Sequence, residues 1–281
     1  MEITKEAWMT DDKFKDFCTN HRMFQNLNET YANHLLMKSF SKYRHASFVF
    51  CSNMLEDTIP DKLRQSYTFK LLESLCNDDV LPEPKVNSKW NSDGKPYTET
   101  QLVQHLSAFK FLRSSEKLTE ETRRILMNGA FTLDHKGKNN NVLNGKTRTF
   151  GMNNGIDDNM PFCEVEESID KLIENYNNSG EAISKACRLF WNFLVIHPFQ
   201  DGNGRIARML ASFSLMKDGT PFPIIISSGK SKSRKHYNYM IQRHSRSKSH
   251  HSLYTMMSFS LYVGWKNFKK LADVYDQKSW K

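Results

Sequence analysis

One interruption constrains this chain more than any other feature: two apolar helical faces are separated by a prolyl stop and a Gly-Asn-Gly bend. Ala182, Ile183, Ala186, Cys187, Phe190, Phe193 and Leu194 recur at helical spacing, and the last two turns are apolar on nearly every side. Such a helix has to be central and enclosed. Pro198 ends it, because its ring carries no amide donor and disfavours helix at the residue before it. A second helix is marked by Ile206, Met209, Leu210, Phe213 and Met216 and closes near Gly219 and Pro221.

The remainder reads as further helices joined by polar connections. Leu102, Val103, Leu106, Phe109 and Leu112 mark an amphipathic helix, and Thr119 followed by Glu120 and Glu121 suits the start of another, carrying Ile125 and Leu126. Leu81 to Lys95 reads as a long connection with a turn at Asp93-Gly94. Residues 135–160 are rich in Gly, Asn and Lys, with a β-prone patch at Thr147 to Met152, and read as a polar loop or hairpin. The fold class is therefore mainly α. The chain has 281 residues, of which 38% are apolar, enough for a buried core without disulfide staples. No uninterrupted apolar run exceeds four residues, which excludes a helix of about 20 residues spanning a bilayer. The N-terminus lacks a basic start followed by an apolar stretch, and the five cysteines are odd in number without CxxC spacing. Both features imply a reducing, cytoplasmic setting, with the nucleus as the alternative.

Chemistry concentrates in the break, His197-Pro-Phe-Gln-Asp-Gly-Asn-Gly-Arg-Ile-Ala-Arg208. Gly202, Asn203 and Gly204 permit a tight bend with positive φ, in which consecutive amides converge on one concave spot. The following helix adds its unsatisfied amides and about half a positive charge. Together they form a phosphate cradle. Arg205 and Arg208, three apart, can both reach one polyphosphate, and Asp201 is placed to hold a divalent cation against it. His197 supplies a side chain whose ordinary pKa of about 6.5 suits a general base.

These twelve residues match HxFx(D/E)GNGRxxR, the signature of the Fic family, at every position; chance occurrence in a chain of this length is on the order of 10⁻⁸. The resemblance covers about residues 46 to 250 and implies the Fic helical core with a small β-hairpin flap. It also implies transfer of AMP from ATP to a Ser, Thr or Tyr hydroxyl of a target protein, with release of pyrophosphate. In that scheme His197 deprotonates the hydroxyl, Asp201 holds Mg²⁺, for which Mn²⁺ can substitute, and Gly202, Asn203, Gly204 and Arg205 steady the α-phosphate. Arg205 and Arg208 hold the outer phosphates. Gly145, Arg148 and Thr149 fall where the family flap pins the target segment. Tyr237 and Met240 resemble the residues that flank the adenine, although His244 stands where the family often has Asn.

Upstream, Ser52-Asn-Met-Leu-Glu56-Asp57 is similar to the family's inhibitory motif (S/T)xxxE(G/N), with Asp57 departing at the last position. The resemblance implies a helix at about 46–57 whose Glu56 pairs with Arg208 and blocks a phosphate site. In some relatives the same Glu aligns water to remove AMP, so a de-AMPylase or bifunctional enzyme, or one using another nucleotide, stays open. The resulting organisation is an N-terminal helical region over 1–95, a catalytic core over 96–260 and a C-terminal tail over 261–281. Lys and Arg number 40 against 31 Asp and Glu, for a net charge of +9. That excess attracts anions in general. The basic stretches Lys230–Lys235 and Arg243–His251 are read as a solvated face, without an RRM, zinc or helix-turn-helix signature. A target protein is the expected partner, a homodimer is compatible, and neither membrane nor nucleic acid is expected. An inactive Fic scaffold and a basic nucleic-acid-binding module are the readings from other classes.

Overall fold

A computed structural model describes residues 23–56, 98–119, 161–177, 180–199, 202–247 and 251–279, with the separate positions 59, 69–70, 72 and 122. The described elements are helical: α1 (Leu35–Leu55), α2 (Thr98–Ser114), a 3₁₀ turn (Phe162–Glu164), α3 (Val165–Asn177), α4 (Ala182–Ile196), α5 (Asn203–Lys217), α6 (Ser231–Ser247) and α7 (His251–Ser279), preceded by a helical stretch at 23–31. The expected hairpin at 145–149 and the connection at 81–95 lie outside the described residues.

The two helices flanking the Gly-Asn-Gly bend, α4 and α5, pack along each other at the centre. Glu181 caps α4, its two carboxylate oxygens accepting from the amides of Ile183 (3.1 Å) and Ser184 (2.8 Å). The helix stops at His197, whose φ of 47° and ψ of 58° place it in the left-handed region, and Pro198 follows. Among the described residues His197 is the one non-glycine with positive φ. α5 is enclosed even more completely than α4: every residue from Arg205 to Leu215 is buried. Helical periodicity understates this, because Ala207, Ala211, Ser212 and Ser214 do not read as apolar anchors. They are small and buried, and Ser212 Oγ donates to the Ile224 carbonyl at 3.3 Å.

A satellite core gathers Phe24, Tyr31, Met37, Phe40, Phe222, Trp265, Phe268 and Ala272. Phe268 meets Tyr31 edge-on at 5.5 Å and Phe40 at 5.2 Å. Residues 261–279 continue a 29-residue helix that buries Trp265, Phe268 and Ala272. At Gly264 an added Cβ would stand 2.6 Å from the Phe222 ring, so the absence of a side chain lets α7 close on that ring. Arg44 of α1 is buried in the same region, over Phe222 and donating to the Pro223 carbonyl at 3.2 Å; burial lowers its pKa to about 10. Tyr31 donates to the Asp276 carboxylate at 2.7 Å, and that bond, then burial, raises its pKa to about 12. Cys51, Cys163 and Cys187 are free thiols. Among the described residues no helix is long and apolar enough to cross a membrane.

His45 gives the fold a predictable acid response. Burial pulls its pKa down to about 4, partly opposed by its bond to the Ser41 carbonyl at 2.6 Å. The unfolded chain binds this proton near pH 6.5 and the folded chain does not, so stability is lost as pH falls from 6.5 toward 4. Between pH 7.5 and 5 His45 alone is expected to cost about 2 kcal/mol. Denaturant unfolding at the two pH values should show a smaller difference for His45→Gln. Separately, Phe268→Ala is expected to cost about 3 to 5 kcal/mol by the same assay.

Candidate active site

The bend between α4 and α5 brings the ends of two central helices together, and α1 reaches across it from the far N-terminal part of the chain. Gly202 has φ 85° and precedes the first turn of α5. As a glycine it offers no capping side chain, so the positive end of the helix faces a space in which an anion is favoured. Asn203 makes that bend rigid: its Oδ1 accepts from the Phe199 amide at 3.0 Å and its Nδ2 donates to the Phe199 carbonyl at 2.7 Å. The carboxamide expected at the α-phosphate thus braces the cradle's own backbone. Phe199 is fully buried beneath it.

The anion at the start of α5 is Glu56. Its Oε1 would lie 2.6 Å from a Cβ built on Gly204, a position that only glycine leaves open. The same oxygen accepts from Arg208 Nη2 at 2.6 Å. Arg208 is 2% exposed and is held on several sides. Its Nε donates to Ser52 Oγ at 2.9 Å, Nη2 to the Ser52 carbonyl at 3.1 Å and Nη1 to Tyr237 Oη at 3.4 Å, with the guanidinium 5.8 Å from the Tyr237 ring centroid. Burial works against its charge, but Glu56 and then Tyr237 outweigh that, and the pKa of Arg208 lies above the ordinary arginine value. The Tyr237 hydroxyl is raised by burial, which Arg208 partly offsets.

The two signature arginines do not share one destination. Arg205 is fully buried and directs Nη1 to Asn53 Oδ1 on α1 at 3.4 Å. Asn53 in turn donates through Nδ2 to the Val49 carbonyl at 2.8 Å and lies 2.9 Å from His105 Nδ1 on α2. His105 is held far below the ordinary histidine pKa by burial, then by the nearby Arg205 and Arg208 charges. Its neutral ring therefore accepts the Asn53 amide through Nδ1. Asn53 and His105 were not singled out by sequence: the first hides beside Ser52, and the second sits in an ordinary amphipathic helix.

His197 is half-buried at the C-terminal end of α4, on the rim of the bend. Met240 is buried one turn beyond Tyr237 on α6, and His244, further along, meets Trp191 edge-on at 4.2 Å. Asp201, Gly145, Arg148 and Thr149 lie outside the described residues. Ser52, Glu56, Gly202, Asn203, Gly204, Arg205, Arg208 and Tyr237 are brought into one connected region.

Residues 115–215 match the Fic/DOC family model. A stretch of 69 residues is 38% identical to a Fido domain-containing protein of Dictyostelium discoideum, covering 23% of this chain and 48% of that protein. Another of 71 residues is 37% identical to the protein adenylyltransferase Fic of Drosophila willistoni, covering 25% of this chain and 14% of that protein. The match thus spans less than half the length of these curated relatives. Among solved structures, residues 134–508 of Fic-1 from Caenorhabditis elegans superpose with a TM-score of 0.66 at 16% identity, covering 91% of this chain and 71% of that one. A Fic domain containing signalling protein from Bacteroides thetaiotaomicron gives 0.62 at 19% identity, covering 91% and 97%. At these identities the likeness is one of fold.

Removing the brace tests the cradle's construction. Asn203→Ala strands the buried amide and carbonyl of Phe199 and is expected to cost about 2 to 3 kcal/mol. Hydrogen exchange at the Phe199 amide should accelerate, whereas Asn203→Asp, which keeps the acceptor, should protect that amide better than Ala does.

Proposed function

We propose, from the premise that this is a Fic-domain protein, that it is a protein adenylyltransferase transferring AMP from ATP to a hydroxyl side chain of a target protein. The observation that carries the reading is Glu56 seated on Arg208 over the first turn of α5, a carboxylate in a place built for a phosphate. The adenylyltransferases among its relatives support ATP as the nucleotide. Residues 96–260 would form the catalytic core, with the N-terminal region carrying its regulatory helix.

The chemistry asks for a charge-lined cradle and one proton acceptor. The α5 amides hold the phosphates against the helix end, and Asn203 keeps the bend in shape. His197 takes the proton from the incoming hydroxyl, whose oxygen bonds to the α-phosphorus as the bond to the bridging oxygen of pyrophosphate breaks. A Mg²⁺ ion would neutralise charge on that leaving group. Asp201, next to the helix start, offers the hard carboxylate oxygen that such an ion prefers, and the phosphates would supply further oxygens. Arg208 would receive an outer phosphate once Glu56 gives way.

With Glu56 in place, Arg208 cannot serve a phosphate as well, and this pairing supports the reading of a restrained enzyme. A second reading is hydrolytic removal of AMP by a water that Glu56 aligns. It is favoured by one observation: the Glu56 side chain keeps 33% exposure while paired.

Incubation with each labelled nucleoside triphosphate and a cell lysate, followed by mass spectrometry, tests the proposal. His197→Ala should lower ATP-derived labelling about 10²- to 10⁴-fold. Glu56→Gly should raise self-labelling by about tenfold or more as Arg208 is released. Label incorporated only from another nucleotide, or equally by the His197→Ala variant, would sink AMP transfer as the activity.

A further inference from the structure

The last turn of α1 rests on a second support outside the signature. Arg234, in the first turn of α6, donates from Nη2 to the Met54 carbonyl, with the Gly229 carbonyl 3.4 Å from the same nitrogen. Met54 belongs to the final turn of α1, where the Glu56 cap amide turns back on the Asn53 and Met54 carbonyls and the helix carries its negative dipole end. A guanidinium there adds a charged donor beside that cap and opposes the dipole at once.

Gly229 completes the seat. Its φ is +73°, and a Cβ on it would lie 2.4 Å from Met54 Cβ and 2.8 Å from the Leu55 amide nitrogen, so the 227–230 bend touches the helix end backbone to backbone. That bend is fixed in its turn. Ser227 Oγ and Ser233 Oγ are 2.9 Å apart, the Ser228 amide donates to Ser233 Oγ at 3.0 Å, and the Gly229 amide donates to Ser227 Oγ at 3.2 Å.

Met54 and Leu55 lie between the two residues that Arg208 grips, Ser52 and Glu56. Arg208 has to change partners when a triphosphate arrives, and Arg234 does not. We infer that Arg234 is a positioning residue for Glu56: it holds the end of α1 where the carboxylate faces Arg208, and so sets how readily the restraint re-forms after nucleotide binds. The inference rests on the proposed reading of Glu56 as an internal inhibitor.

The test is a cycle with Glu56→Gly in the full chain. Arg234→Ala is expected to raise self-labelling from ATP about 5- to 10-fold, the equivalent of one ordinary hydrogen bond, with Arg234→Lys intermediate. In the Glu56→Gly background Arg234→Ala should add nothing, because there is no carboxylate left to position. Hydrogen exchange at residues 53–56, measured without nucleotide, should quicken in Arg234→Ala while the α4 and α5 amides stay protected. Should that protection be lost, Arg234→Gln, which keeps more of the side-chain volume, carries the same comparison. Unchanged exchange and labelling, or an equal fall in labelling in both backgrounds, would overturn the inference. Quicker exchange in a chain whose Glu56→Gly variant takes label from no nucleotide would leave the Arg234 seat standing and remove the activity.

Discussion

The ion pair between Glu56 and Arg208 is the interaction to which the rest of the site is fitted. A guanidinium enclosed to 2% exposure needs a partner, since an isolated buried charge costs several kcal/mol. Its partner comes from a helix 152 residues earlier in the chain. The carboxylate reaches it only because Gly204 has no side chain, and it lands where the dipole of α5 already favours negative charge. Any anion that binds this helix end in the same way competes with the protein's own carboxylate. On the proposed reading, inhibition and phosphate recognition are two occupancies of one electrostatic feature.

Beneath the pair lies a polar layer that keeps positive charge tolerable inside the bundle. Arg205 donates to Asn53, while the neutral ring of His105 accepts from the same asparagine. A protonated His105 would stand beside two arginines in a dry interior, and both burial and repulsion hold it neutral. Consecutive residues of α1 thereby engage both signature arginines, Ser52 with Arg208 and Asn53 with Arg205. The end of α1 is tied to α5 through both of these arginines.

The outer helices hold this arrangement in place. α6 supplies Tyr237 against Arg208 and Arg234 against the end of α1, two residues three apart that address opposite partners in one contact. α7 closes the satellite core around Phe222 and Trp265, and Arg44 anchors the opposite half of α1 at the Pro223 carbonyl. α1 is therefore fixed near its middle and at its end, and the presentation of Glu56 depends on packing well away from the bend.

The amino-acid sequence by itself determined the mainly helical class, the enclosed α4 helix, the prolyl stop, the glycine bend and the residues of the signature. Each is encoded within a few residues, by apolar spacing, a missing amide or a missing side chain. The pairing of Glu56 with Arg208 could be named only through resemblance, since no local pattern links positions 152 apart. Only the tertiary structure decided that Asn203 braces Phe199, that Arg205 donates to Asn53, that Arg234 and Gly229 receive the end of α1, and that Trp265, Phe268 and Ala272 join the satellite core. The polar contacts among these share one physical reason. A side chain's polar capacity can be read from its type, but the atom that satisfies it is supplied by whichever distant backbone or side chain the packed helices bring within reach.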